Sequence, residues 1–273
     1  VLVGDRYIDK YDSFYLEMYK QITGRAMARE CFVVMEPIDV ESEKKHIMPK
    51  LVTDKRVDGI IVMGRLSWEY LDYLNENCTM PIIYLDFCDN KKEADAVISD
   101  SYYGAYRLAN YLFEMGHTKI GYIGTVLATG SITDRYMGYL RAMMEHGCEV
   151  KPEWVIDDRE MEHGSIDPEK YICLPNKLPT AFVCNCDLAA SYLIRKLEAH
   201  GLKVPQDISV VGYDNFIYPG MCDVGITTYE VDIKEMARRA VHTLIKKISG
   251  EDYRHRVYIV EGQLVIKESV RKL

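Results

Sequence analysis

The sequence predicts an α/β protein of two similar subdomains, each a doubly wound parallel sheet, joined by multiple crossovers. Three observations carry that reading. Short apolar, β-branched runs such as Ile60-Ile61-Val62 and Ile208 to Val211 recur along the chain, as expected of parallel strands covered on both faces. Helical patterns alternate with these runs, and the order βαβαβαβ implies right-handed crossovers into a parallel sheet. The pattern then restarts, and 273 residues exceed what one compact core usually serves.

Ser13 is an expected N-cap, after which apolar residues recur at Tyr15, Met18, Tyr19, Ile22 and Ala26, one face of an amphipathic helix. A strand is expected at Cys31 to Met35, a helix around Glu43 to Thr53 and a strand at Asp58 to Met63. A helix from Trp68 to Asn75 and a strand at Pro81 to Asp86 complete the first series. The second opens with a strand at Ala94 to Ile98. A helix over Ser101 to Met115 follows, with Ala105, Leu108, Ala109 and Leu112 on one face and Gly116 as its C′ residue. Ile120 to Ile123 is the next strand, and a helix from about Asp134 to His146 closes at Gly147. Strands at Trp154 to Ile156, Thr180 to Cys184 and Ile208 to Val211 continue the series, with a helix from Asp187 to His200 ended by Gly201. Asp232-Ile233-Lys234-Glu235 has capping-box spacing and starts a helix to about Ile248. Strands at Val257 to Val260 and Gln263 to Ile266 end the series. The expected division is 1–97 with about 229–256 as the N-terminal subdomain, and 98–228 with about 257–273 as the C-terminal one. A chain that passes between lobes more than once makes a hinge, and a cleft that closes.

Composition narrows the function. The chain is 48% apolar and 28% charged with both signs interspersed, an ordinary globular balance. No apolar run approaches about eighteen residues and no basic-then-apolar leader opens the chain, so neither a membrane span nor a signal peptide is expected. Val1-Leu2-Val3-Gly4 reads as the inside of a strand, so a longer parent protein is expected. The eight cysteines include no C-x-x-C pair. They read as small buried hydrophobes in a reducing cytoplasm, and no metal site or cofactor is expected. A formal charge of −8 argues against this segment gripping nucleic acid itself.

Open α/β sheets place ligands outside the carboxyl ends of their strands. The candidates collected there are Arg6 and Tyr7, Arg65, Asp86, Asp187 and Asp214, with Phe14 and Tyr15 at the first helix start and Arg135 on a later helix. Carboxylates accept paired hydroxyl hydrogens, guanidinium donates a fork, and flat rings cover the apolar faces of a cyclic ligand. Such a set suits a sugar or polyol. Each carboxylate also fits a cap or a solvated loop, Asp187 above all because it opens a helix. Arg135→Ala is expected to abolish ligand-induced stabilisation while leaving the fold intact, Arg135 being read as a cleft residue outside the core.

The ordered words Val57-Asp58-Gly59-Ile60-Ile61, Gly116-His117-Thr118-Lys119-Ile120-Gly121-Tyr122-Ile123-Gly124 and Asp134-Arg135-Tyr136-Met137-Gly138-Tyr139 carry a resemblance, as do Pro179 to Phe182 leading to Asp187, Val204 to Asp214, and Thr227-Thr228. Together they resemble the effector-binding part of LacI/GalR-family transcription regulators, whose fold is that of type 1 periplasmic binding proteins. The resemblance implies that Arg135 and Asp214 bind ligand and that Phe14 and Tyr15 wall it. It also implies a small-molecule effector, a homodimer, and operator DNA bound only through a helix-turn-helix headpiece ahead of Val1. Where the family has Asn-Asp, this chain has Cys186-Asp187, which puts a copied sugar-binding pattern in doubt.

Catalysis is not expected. No G-x-G-x-x-G follows the first strand, and P-loop, H-E-x-x-H and G-x-S-x-G words are absent. Asp86 and Asp214 could form a glycosidase pair only at a separation the sequence does not state. His117, His146 and His200 sit beside glycines at helix ends, a favourable dipole position. The rival reading is a solute-binding protein of a sugar ABC transporter, with the same fold and chemistry but an exported address. Eight thiols argue against export.

Overall fold

In a computed structural model of the chain, residues 1–8, 13–89, 94–161, 167–216, 222–252 and 256–273 are described. The first part of the chain forms β1 (Leu2–Gly4), α1 (Phe14–Met27), β2 (Glu36–Ile38), α2 (Val40–Lys44), α3 (Lys50–Thr53), β3 (Ile60–Met63), α4 (Trp68–Asn77), β4 (Ile82–Leu85) and β5 (Ala96–Ser99). There follow α5 (Ser101–Glu114), β6 (Ile120–Ile123), α6 (Gly130–Glu145), β7 (Val155–Ile156), α7 (Pro168–Tyr171), β8 (Ala181–Cys184), α8 (Asp187–Ala199), β9 (Ser209–Asp214) and β10 (Thr227–Glu230). Then come α9 (Ile233–Ile248), β11 (Val257–Val260) and β12 (Gln263–Val265).

The chain divides into two units, Val1–Ser99 with Asp232–Val260, and Asp100–Val231 with Glu261–Leu273. Each holds one six-stranded sheet, in the orders β2-β1-β3-β4-β5-β11 and β7-β6-β8-β9-β10-β12. Neighbouring strands run parallel, except that β12 lies antiparallel to β10 (Tyr229 opposite Leu264). In both sheets the unit's first strand sits between its second and third. The strand order reverses at that place, leaving a crevice at the carboxyl ends. The central strands are apolar on both faces, and all four residues of β3, β6 and β8 are buried, as parallel strands between helix layers require. Separate clusters fill the two cores, one around Tyr70, Leu74 and Tyr84, the other around Phe182, Leu193 and Val210.

Caps read from the sequence form as expected: Ser13 Oγ accepts the Leu16 N–H at 3.2 Å and Asp232 Oδ1 the Glu235 N–H at 2.9 Å. Other elements differ. The apolar run from Cys31 is no strand. β2 starts at Glu36, where pairing with Leu2 begins, and Phe32, ahead of the ladder, is 94% exposed. The helix expected over Glu43 to Thr53 is two short helices, because His46 turns to φ 51° and Pro49, with no N–H to donate, restarts the chain as the N-cap of α3. α6 begins at Gly130, since Thr129 Oγ1 caps it by accepting the Ile132 N–H at 3.1 Å. β9 runs on through Gly212 to Asp214 because β10, unforeseen as a strand, pairs with it (Tyr213 opposite Tyr229).

The expected subdomain boundaries also shift. Val257 to Val260, assigned to the C-terminal subdomain, is β11 of the first sheet, in parallel register with β5 (Val257 opposite Ala96). Tyr229 and Glu230 belong to β10 of the second sheet. No disulfide joins the cysteines among the described residues, and of the eight only Cys184 is buried. Cys173 is exposed and the other six are half-buried, since several stand at strand and helix ends instead of inside them. No helix among the described residues is long and apolar enough to cross a membrane, and no group of three or more His, Cys, Asp or Glu among them could hold a metal ion.

Candidate functional site

In unit 1 the reversal point lies between β1 and β3. Past β1 the chain makes a 3-10 turn at Asp5–Tyr7. It aims two side chains at the end of β3, the Tyr7 hydroxyl donating to Arg65 O at 2.8 Å and Arg6 Nη2 to the same oxygen at 3.0 Å. Arg6 also pairs with buried Glu43, whose other oxygen accepts the Ser67 N–H at 2.6 Å. Tyr7 and Tyr15 rings lie 4.9 Å apart. Gly64 (φ 74°) leaves them room, since a Cβ there would lie 3.1 Å from one and 3.2 Å from the other. The Tyr15 hydroxyl donates to Asp86 Oδ2 at 2.8 Å. Five sequence candidates, Tyr7, Phe14, Tyr15, Arg65 and Asp86, are therefore gathered at one end of one sheet. Phe14 is buried and meets Tyr15 edge-on at 5.5 Å, so it backs the wall instead of forming it. The Arg65 guanidinium lies over the Trp68 ring at 5.6 Å.

In unit 2 the reversal point lies between β6 and β8, and charge replaces aromatic surface. Arg135, one turn inside α6, is buried. Its guanidinium lies over the Tyr213 ring at 3.7 Å, donates to Asn185 O and pairs with Asp214 at 3.4 Å. That burial corrects the expectation that Arg135 could be truncated without cost to the fold. Asp187 is the first residue of α8 but not its cap, a place taken by Cys186, whose sulfur accepts the Ala189 N–H at 3.5 Å. Asp187 is buried and accepts the Phe216 N–H at 3.0 Å. Burial, and then the neighbouring Asp214 charge, push its carboxyl well above the usual range. Burial likewise pushes the Cys186 thiol up to about 12, leaving it a weak neutral donor.

A network that the sequence reading missed forms the floor of this face. Asp158, fully buried, accepts the Thr125 N–H at 3.0 Å, Asn185 Nδ2 at 2.8 Å and a fork from Arg159. Arg159 Nη2 also reaches Asn185 Oδ1 at 3.0 Å. Burial pushes the Asp158 carboxyl up, but the Arg159 charge, the Asn185 amide and the Thr125 N–H together hold it below the ordinary carboxylate range. The amide that Cys186 seemed to remove thus stands one residue earlier, at Asn185, and is spent inward on Asp158 and Ile123 O. Polar residues ending a strand pattern flagged the other candidates, and Asp157-Asp158-Arg159 after Trp154 to Ile156 carries the same signal. Lys267, which donates to Asn215 Oδ1 at 2.7 Å, had none.

Residues 109–270 match the periplasmic binding protein-like domain. The chain is 32% identical over 240 residues to the HTH-type transcriptional repressor PurR of Pasteurella multocida, spanning 85% of this chain and 70% of that protein. The chain belongs to the LacI/GalR family. A second family relative, PurR of Aliivibrio salmonicida, is 28% identical over 99% of this chain and 82% of its own length. Among solved structures, the periplasmic binding protein/LacI transcriptional regulator from Alkaliphilus metalliredigens complexed with D-xylulofuranose superposes with a TM-score of 0.78. Its identity is 22%, covering 98% of each chain. The chain is accordingly the effector-binding domain of a LacI-family regulator.

Proposed function

We propose that this domain senses a sugar or sugar derivative at its strand-end faces and so alters operator binding by the full-length regulator, without catalysing a reaction. The observation that carries the ligand class is the Arg135–Asp214 pair, 3.4 Å apart over the Tyr213 ring. It sets guanidinium donors beside a half-buried carboxylate acceptor, the complement of vicinal hydroxyls on a ring. Tyr7, Tyr15, Arg65 and Asp86 supply the matching donors, acceptor and ring faces on unit 1. The sugar-bound state of the Alkaliphilus regulator supports the same class. Operator DNA is contacted through a headpiece in this reading, the setting is cytoplasmic, and no cofactor is involved. The repressor names of both relatives favour a regulator over a transporter's solute-binding protein.

A homodimer is part of the proposal. Unit 1 carries an apolar hollow of about 380 Å³, lined by Ile22, Val33, Leu244 and Ile245 among others. Of its lining, Phe32, Val34 and Ile248 are exposed, a patch suited to a second copy. Light scattering that reports a monomer at micromolar concentration counts against it.

The ligand test is a thermal-shift panel of pentoses and hexoses, their phosphates, nucleobases and amino-acid derivatives. A sugar present at a hundredfold excess over Kd adds about 2.7 kcal/mol of stability, and Asp214→Asn removes the shift. A shift from nucleobases alone overturns the sugar assignment. A mobility-shift assay on the intact protein showing no sequence preference, with and without the active compound, overturns the regulatory one.

A further inference from the structure

Two successive non-glycine residues at the end of β9 hold positive φ, Asp214 at 101° and Asn215 at 52°. Such backbone persists only where its surroundings over-determine it. Three contacts hold this turn: the Asn215 N–H donates to Thr228 Oγ1 at 3.3 Å, Lys267 Nζ to Asn215 Oδ1 at 2.7 Å, and the Phe216 N–H to Asp187 Oδ2 at 3.0 Å. The third comes from a different layer. Asp187 belongs to α8, and it reaches the turn by crossing the face of β9 at Gly212, where a Cβ would stand 1.9 Å from its Oδ1. Among the described residues that oxygen has no hydrogen-bond partner; it occupies the space of the missing side chain, against a Cα–H, a weak contact at most.

We propose that Asp187, seated in the space left by Gly212 and holding the Phe216 N–H, is the positioning residue that locks the Asp214–Phe216 turn and so presents Asp214 to Arg135. What the turn is for rests on the effector reading above; the lock itself does not. The charged groups facing Asp187 are Asp214 and Lys267. Burial and the Asp214 charge both favour its neutral acid, which lets two carboxyl groups share one strand end without repulsion. Ionisation, as pH rises through that raised pKa, places a second negative charge beside Asp214 and loosens the turn. The position therefore works as a built-in pH limit on the site.

Amide hydrogen exchange on the whole chain tests this without any ligand. In Asp187→Ala, and in Gly212→Ala where the new Cβ evicts the carboxyl, the Phe216 amide is expected to exchange about tenfold faster than in wild type. Asp187→Asn keeps an acceptor oxygen and is expected to restore slow exchange. With intrinsic base catalysis divided out, wild-type protection at Phe216 falls as pH rises above the ordinary carboxylate range through the raised pKa of Asp187, whereas Asp187→Asn stays flat. Val210, inside β9, reports whether a variant still folds; for one that does not, the wild-type and Asn pH profiles decide alone. Unchanged Phe216 protection in folded Asp187→Ala, or identical pH profiles for wild type and Asp187→Asn, overturns the lock. A failed ligand screen overturns only the effector reading and leaves this comparison standing.

Discussion

Asp86 and Asp214 occupy the same place in two sheets of the same order, at the carboxyl end of each unit's fourth strand, and both hold positive φ (69° and 101°). In each case the helix after the unit's first strand reaches across to the carboxylate. From α1 the reach is a phenol, Tyr15 at 2.8 Å; from α6 it is a guanidinium, Arg135 at 3.4 Å. The surroundings differ in kind. Tyr15 stands among half-buried rings and Asp86 is itself half-buried, whereas Arg135 rests on a floor of buried Asp158 and Asn185 joined by half-buried Arg159. One backbone plan thus carries a polar aromatic wall in unit 1 and an ionic network in unit 2. Water screens the first and not the second, so the same deletion should cost far more in unit 2.

Arg135→Ala tests that difference most strongly. It leaves Asp214 and Asn185 O without their cation and empties the space over Tyr213, a loss expected to cost about 3–5 kcal/mol in urea unfolding. A loss below about 1 kcal/mol would mean that the pair behaves as a surface contact, and the comparison would collapse.

Asp158→Asn comes next, at about 2–3 kcal/mol near neutral pH, because a hydrogen-bonded charge pair loses one member while Arg159 stays half-covered. The folded pKa of Asp158 lies below its unfolded value. Its contribution is therefore complete above the ordinary carboxylate range and is lost as pH falls through the folded value. The gap between wild type and Asp158→Asn should close in acid. Asp187 runs the other way: with its folded pKa raised, wild type loses stability as pH rises from the ordinary carboxylate range toward the folded value. Asp187→Asn should accordingly gain on wild type with rising pH in thermal melts. Parallel curves for the two variants would remove the electrostatic distinction between these two carboxyl groups.

What could be read in the sequence follows the same division. The wall of unit 1 was legible because each residue ends a strand pattern or starts the helix after it, so topology alone brings Tyr7, Tyr15, Arg65 and Asp86 together. Arg135 and Asp214 were legible as candidates, but not their burial, which depends on Tyr213 lying under one and on β9 continuing through the other. β10 escaped because Thr227-Thr228-Tyr229-Glu230 lacks an apolar run, although its first three residues are buried. Cys31 to Met35 misled in the opposite sense, an apolar alternation that lies outside the ladder. The contact of Asp187 with Gly212 joins a helix start to a strand 25 residues later, and no local spacing announces it.

Tyr15→Phe is the smallest expected effect and the sharpest control on the comparison. It removes one hydroxyl, leaves the ring against Tyr7 in place, and lets water reach half-buried Asp86 as a substitute donor, so the loss should be about 0.5–1.5 kcal/mol. A double-mutant cycle with Asp86→Asn isolates the pair, since neither change opens a cavity. If the two units differ because of their surroundings, the Tyr15–Asp86 coupling should be roughly 1 kcal/mol, and that of Arg135 with Asp214 clearly larger. Equal couplings would assign the difference to Arg135 alone, through its stacking on Tyr213 and its bond to Asn185 O, and would leave the two carboxylates as equivalent acceptors on one repeated plan.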